Sequence, residues 1–96
     1  MQQSESLQVH PRIHERHPAI SEKDVICAWS FPLVSAIRSG AAYDDLVVVG
    51  VDGQGRLLEL VAVREEDSWL IYHANTPPTK RVLKELGLNL GGRHGA

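Results

Sequence analysis

Glu59 is the first residue in this chain that demands a chemical explanation. It interrupts an otherwise apolar run, Leu57-Leu58-Glu59-Leu60-Val61-Ala62-Val63. A carboxylate buried unpaired in such a segment is strongly disfavoured. It must be ion-paired, with Arg56, Arg64 or a helix lysine as partner, or it acts as a general acid or base. His73 is the second such residue. It closes the segment Leu70-Ile71-Tyr72-His73, and the sequence then runs through Asn75 and two prolines toward a helix start carrying Lys80 and Arg81. Cations at a helix amino terminus oppose the helix dipole, a local conflict that sometimes marks a site. An exposed basic helix face is the alternative. Tyr72 precedes His73 and shares a strand face with Glu59 if the turns are tight.

Two other constellations carry less. His10, His14 and His17 are spaced i, i+4, i+7, which on a helix would align three imidazoles as zinc ligands. Pro11 and Pro18 leave room for barely two turns, and no fourth ligand is placed nearby, so solvated or capping histidines are the expectation, with no metal and no cofactor. Cys27 lies on the apolar side of a helix with no partner histidine in view, so it reads as an inert thiol.

Several elements must position these groups. Residues 1–6 read as a polar tail, residues 7–88 as a single α+β domain, and residues 89–96 as a Gly-rich tail. Leu7 to Val9 suits a short edge strand. A short helix follows over residues 12–17. Ser21 is an N-cap with Asp24 three residues on, and Val25, Ile26, Ala28 and Trp29 line one face of the next helix. Pro32 kinks or ends that helix, and residues 33–37 would continue it to Gly40. Residues 46–51, 56–63 and 69–74 are rich in Val, Leu and Ile. Asp52-Gly53-Gln54-Gly55 and a charged connection, Arg64 to Ser68, join them into a three-stranded antiparallel meander. If Val51 pairs with Arg56 and Arg64 with Trp69, Glu59 and Tyr72 share one face while His73 lies on the other with Ile71. Both faces are apolar and need covering, and a one-residue slip would reverse the facing of a strand. Thr76 as N-cap, Pro77 at the first position and Gly87 past the end frame a last helix.

Composition narrows the functional classes. The formal net charge is −2 and 43% of residues are apolar, which argues against a general polyanion binder, whose affinity comes from Lys and Arg neutralising phosphates. No apolar run reaches membrane-spanning length, the amino terminus has no secretory pattern, and one cysteine allows no internal disulfide. The expectation is a cytoplasmic protein without membrane association.

In order, the strings VHPRIHERHPAISEKDVICAW, VVVGVDGQGRLLELVAV and LIYHANTPPTKRVLKEL resemble the BrnT-like toxins of bacterial type II toxin–antitoxin pairs, compact relatives of the RelE/ParE fold. In the first string, Arg16-His17 occupy a basic step between the opening strand and a helix. The second is similar to the central hairpin of that family, and the third to its last strand, alanine step and basic helix start. The resemblance implies a metal-independent ribonuclease that arrests translation and is neutralised by a cognate antitoxin. Glu59 or His73 would then be base or acid and Tyr72 a polar or stacking contact, with Arg56, Lys80, Arg81, Arg16 and His17 near RNA phosphates. The chain has Leu70 and Asn75 near places where that family carries arginines, and Asp44-Asp45 where a basic residue is common. The alternative is therefore a noncatalytic protein-interaction module of the same fold, associating through an exposed sheet face or edge.

Overall fold

The computed structural model describes residues 6–40 and 44–88; Ser6, expected in the tail of residues 1–6, is the first residue of a strand, and the rest of that tail and residues 89–96 lie outside the described residues. Within them the fold is α+β, a five-stranded mixed sheet with three helices. The elements are β1 (Ser6–Val9), α1 (Arg12–Arg16), α2 (Glu22–Ser30), β2 (Pro32–Arg38), β3 (Asp45–Val51), β4 (Leu57–Glu65), β5 (Ser68–Asn75) and α3 (Lys80–Glu85). The spatial order is β1-β5-β4-β3-β2. β1 runs parallel to β5, and the other pairs are antiparallel. No helix among the described residues is long and apolar enough to cross a membrane.

The expected short edge strand forms as β1 on β5, and the sheet gains a further strand because Pro32 ends α2 outright and the chain turns back as β2. Pro32 removes a helix donor and disfavours helical geometry at Phe31, whose backbone has left the helical region at φ −125° and ψ 65°. Val34, Ala36 and Arg38 then alternate as the more covered side of an edge strand, a period of two where continuation of the helix had been expected.

Helix α2 begins as its sequence predicts. The Ser21 hydroxyl accepts from Asp24 N–H at 3.1 Å, and the Asp24 carboxylate accepts from Ser21 N–H at 2.9 Å, a full capping box closed by Asp instead of Glu. Helix α3 starts later than expected. Its N-cap is Thr79, not Thr76, and the Thr76–Pro77 bond is cis. Its end is a Schellman motif: Gly87 at φ 71° lets Gly87 N–H reach Lys84 C=O and Leu88 N–H reach Leu83 C=O.

Each sheet face has its own core. Helices α1 and α2 and the connection between them bring Ile13, Val25, Ala28 and Ile20 onto Val48, Leu58, Leu60, Ala62, Ile71 and Ala74. On the opposite face, Val82 of α3 packs with Val47, Val49 and Val61, flanked by Val34, Leu57 and Tyr72. Two details of register correct the expected facing. Val51 pairs with Leu57 rather than Arg56, so Val47 and Val49 join Glu59 and Val61 instead of Leu58 and Leu60. The register then shifts between Val61 and Ala62: Val61 faces His73 and Ala62 faces Ile71, leaving Tyr72 as the extra residue of a β-bulge. The bulge brings His73 round to the face of Glu59 and Tyr72, away from Ile71.

The β3–β4 turn is held by a charged network. Asp52 accepts from Gln54 N–H, Arg56 N–H and Arg56 Nε at 2.9, 2.8 and 2.7 Å, and Arg56 also reaches Asp24 at 3.1 Å. Burial opposes ionisation of Asp52, but the hydrogen bonds from Arg56 and Gln54 outweigh it and hold the carboxyl below its ordinary value of 3.8. Asp24 is lowered as well, chiefly by the Ser21 N–H, with help from the Ser21 hydroxyl, Gln54 and Arg56. Depressed carboxyls contribute stability that is complete above the unfolded value and lost as pH falls through the folded one. Arg56→Ala is accordingly expected to cost about 2 kcal/mol at neutral pH, by stripping a buried carboxylate of its charged donors. It should also flatten the loss of stability below the ordinary aspartate value of 3.8. Urea midpoints for both proteins across the acid range check this, and parallel pH curves would refute it.

Candidate functional site

The face covered by α3 gathers the polar residues of the sheet. Glu59, 3% exposed, receives three donors. Thr79 N–H and the Thr79 hydroxyl donate to Oε1 at 2.7 and 2.9 Å, and His73 Nε2 lies 2.7 Å from Oε2. An ionised carboxylate satisfies such a set of donors, so Nε2 is placed to donate, and in the neutral imidazole Nδ1 is then the acceptor. The Thr79 hydroxyl in turn accepts from Val82 N–H at 3.3 Å. One buried carboxylate thus ties together β4, β5 and the start of α3. None of the cations expected as its partner, Arg56, Arg64 or a lysine, takes that role. The His73 side chain is 41% exposed and accessible to a ligand.

A cleft of about 400 Å³ opens here, lined by Arg38, Glu59, Val61, Tyr72, His73, Thr79, Arg81 and Val82. The Tyr72 hydroxyl donates to Asp45 Oδ2 at 2.7 Å. The other oxygen, Asp45 Oδ1, is the one buried side-chain polar atom among the described residues without a hydrogen-bond partner. Arg38 comes from the end of β2, opposite Asp45 in the strand register. Its guanidinium forms a two-pronged bond to Glu85 of α3 at 2.7 and 2.8 Å. This contact raises Arg38 above and holds Glu85 below their ordinary ionisation ranges.

His73 also borders a smaller cleft on the α1 side, with Arg12, Arg16, His17 and Tyr72. β1 ends at Val9, so the outer edge of β5 beyond Ile71 meets α1 instead of another strand. There Arg12 Nε donates to Tyr72 C=O at 3.4 Å, and its guanidinium stands 6.0 Å from the Tyr72 ring centre, within cation–π range.

Of the residues singled out from sequence, Glu59, His73, Tyr72 and Arg81 meet in one cleft, and Arg16 and His17 lie on the other flank of His73. Lys80 is exposed on α3 outside both linings. Arg56 sits at the β3–β4 turn, occupied by Asp52 and Asp24, and is not part of this cluster. Arg38, Asp45, Thr79 and Arg12 were not singled out. The alternation of Val34, Ala36 and Arg38 was the available signal for the first of these. The histidine series breaks up: His10 Nδ1 accepts from Arg12 N–H, His14 Nδ1 pairs with Ile20 C=O, and no group of His, Cys, Asp and Glu among the described residues is arranged to hold a metal. Cys27, half-buried, has no histidine partner among the hydrogen bonds described.

The arrangement is that of an imidazole held by a buried carboxylate, with cations on both sides, a geometry suited to proton transfer beside an anionic group. Comparison of the chain with models of protein families, with curated proteins and with solved structures gave no match.

Proposed function

We propose that this chain is a BrnT-like toxin of RelE/ParE-like fold, a cytoplasmic metal-independent ribonuclease whose partner is a cognate antitoxin. The observation that carries the reading is the 2.7 Å contact between His73 and buried Glu59 at the edge of a cleft that also holds Arg38 and Arg81. The order of the three sequence strings supports it independently.

In this mechanism Glu59 fixes the imidazole, and His73 Nδ1 takes the proton of an RNA 2′-hydroxyl. The 2′-oxygen attacks the adjacent phosphorus, the bond to the 5′-oxygen breaks, and that oxygen takes a proton from solvent. Products are a 2′,3′-cyclic phosphate and a 5′-hydroxyl. Arg81, with Arg16 and His17 on the other flank, offsets the charge gathering on the phosphoryl oxygens, and Tyr72 offers a ring for base stacking. His73→Ala is expected to lower cleavage of a short oligoribonucleotide by about 10²–10⁴-fold, with wild-type activity unchanged by EDTA and growth arrest lost on induced expression. Wild-type protein that cleaves no RNA, with or without ribosomes, and arrests no growth would end this reading.

A noncatalytic interaction module is the second reading, and one observation favours it. Around edge strand β2, Phe31, Leu33 and Ile37 are 59–64% exposed, more large apolar surface than a lone edge strand usually carries. Protein that binds a partner through this edge while cleaving nothing would select it.

A further inference from the structure

Arg38 lines the cleft with Glu59 and His73, yet its guanidinium is already engaged. Nε and Nη2 donate to the two carboxylate oxygens of Glu85 at 2.8 and 2.7 Å. This parallel fork is also how a guanidinium holds two oxygens of a phosphate group. The Glu85 carboxylate therefore sits where a phosphate would sit on Arg38. Both side chains remain about a quarter exposed, 26% and 25%, so the pair is screened by solvent and open to competition by an anion in the cleft. Arg81, one turn earlier on α3, lines the same cleft and acts electrostatically on Glu85. Release of Glu85 leaves α3 anchored by Thr79 on Glu59 and by buried Val82.

We propose that Arg38 is a phosphate-binding group of the cleft and that Glu85 is a built-in competitor, displaced when a phosphate group binds between Arg38 and Arg81. The inference rests on the reading that this cleft receives a phosphate-bearing ligand, but not on cleavage. It assigns the phosphate contact to a β2 residue and gives α3 a regulatory role, since whatever holds Glu85 on Arg38 keeps the cleft closed to anions.

The test is titration of the full chain with inorganic phosphate and, separately, with a short oligoribonucleotide, read by NMR from backbone amide shifts around the cleft in every variant and from the Arg38 Nε–H signal wherever Arg38 is present. Glu85→Gln should tighten phosphate binding about 1.5- to 5-fold, the range over which removal of an exposed competing pair acts. Glu65→Gln removes the same charge at the exposed end of β4 and should change nothing. Arg38→Ala and Arg38→Lys should each abolish the gain in the Glu85→Gln background. Equal tightening by Glu65→Gln, undiminished binding after loss of Arg38, or no response of Glu85→Gln to phosphate would each overturn the proposal. A chain that binds phosphate in this Arg38-dependent way but cleaves no RNA refutes the nuclease and upholds the competitor. Cleavage indifferent to Arg38 and Glu85 does the reverse. Oligonucleotide binding displaced by phosphate identifies a phosphodiester as the ligand, whereas phosphate binding alone identifies the free anion.

Discussion

Glu59→Gln is expected to leave the chain folded while lowering the proposed RNA cleavage by about 10²–10⁴-fold, the usual worth of a positioned general base. The reason is the number and direction of donors. Glu59 accepts from Thr79 N–H, from the Thr79 hydroxyl and from His73. An amide of the same shape has one acceptor oxygen and a donating nitrogen. Turning its nitrogen toward Thr79 would set it against the Thr79 N–H and hydroxyl donors, and that backbone N–H cannot rotate away. The amide oxygen therefore stays on Thr79, and its NH2 faces His73 Nε2. That nitrogen must then accept, which moves the imidazole hydrogen to Nδ1, the atom that would take the 2′-hydroxyl proton. The side chain remains in place with its base turned into a donor.

Stability should fall by only about 1 kcal/mol for this change, the net worth of an ordinary hydrogen bond. Glu59→Ala should cost about 3 kcal/mol, because it leaves the start of α3 and the His73 imidazole without their acceptor. Denaturation midpoints separate the two variants. The ¹⁵N shifts of His73 report the tautomer whether or not the protein cleaves RNA. Unchanged shifts in the Gln variant would show that the carboxylate does not set the state of the imidazole.

The largest effect on the fold is expected at Gly50. This glycine lies one residue from the end of β3, where the end of α2 packs on the sheet. A Cβ there would stand 1.9 Å from the Ala28 carbonyl oxygen, 2.8 Å from its carbon and 3.1 Å from the Phe31 carbonyl oxygen. All three are backbone atoms, so no rotamer change relieves the clash. The helix must lift, and Val25 and Ala28, both fully buried, would lose contacts in the core as it does. Gly50→Ala should therefore cost roughly 3 kcal/mol or more, at the upper end of overpacking effects. Gly53→Ala is the matched contrast, since a Cβ there meets only Cys27 Sγ at 4.0 Å, and its cost should stay within about 0.5 kcal/mol. Similar urea midpoints for the two variants would contradict this account of how α2 seats on the sheet.

Glu59 illustrates how the candidate site divides between sequence and structure. A carboxylate in the middle of an apolar strand signals a polar commitment before any fold is known, because its desolvation must be compensated. Which partner compensates it was not legible. The cations nearest in sequence, Arg56 and Arg64, were the natural candidates, yet Arg56 is drawn to Asp52 and Asp24. Glu59 finds a histidine and a threonine 14 and 20 residues away. Arg38 was hidden for a different reason. A segment after a helix that begins with proline reads equally as a kinked continuation or as a strand, and β2 is settled by pairing with β3.

The sequence by itself determined the features whose causes lie within a few residues. β-branched and leucine-rich runs formed β3, β4 and β5, the Asp-Gly-Gln-Gly segment turned the hairpin, Ser21 with Asp24 opened α2, and Gly87 closed α3. Only the tertiary structure decided which way those strands face. A shift of one residue, Val51 onto Leu57, reversed the facing of β3 against β4, and the extra residue at Tyr72 turned His73 onto the face of Glu59. Side chains alternate with a period of two, so facing depends on hydrogen-bond register. Register is chosen where α1, α2 and α3 bury the two faces, by contacts between residues far apart in the chain.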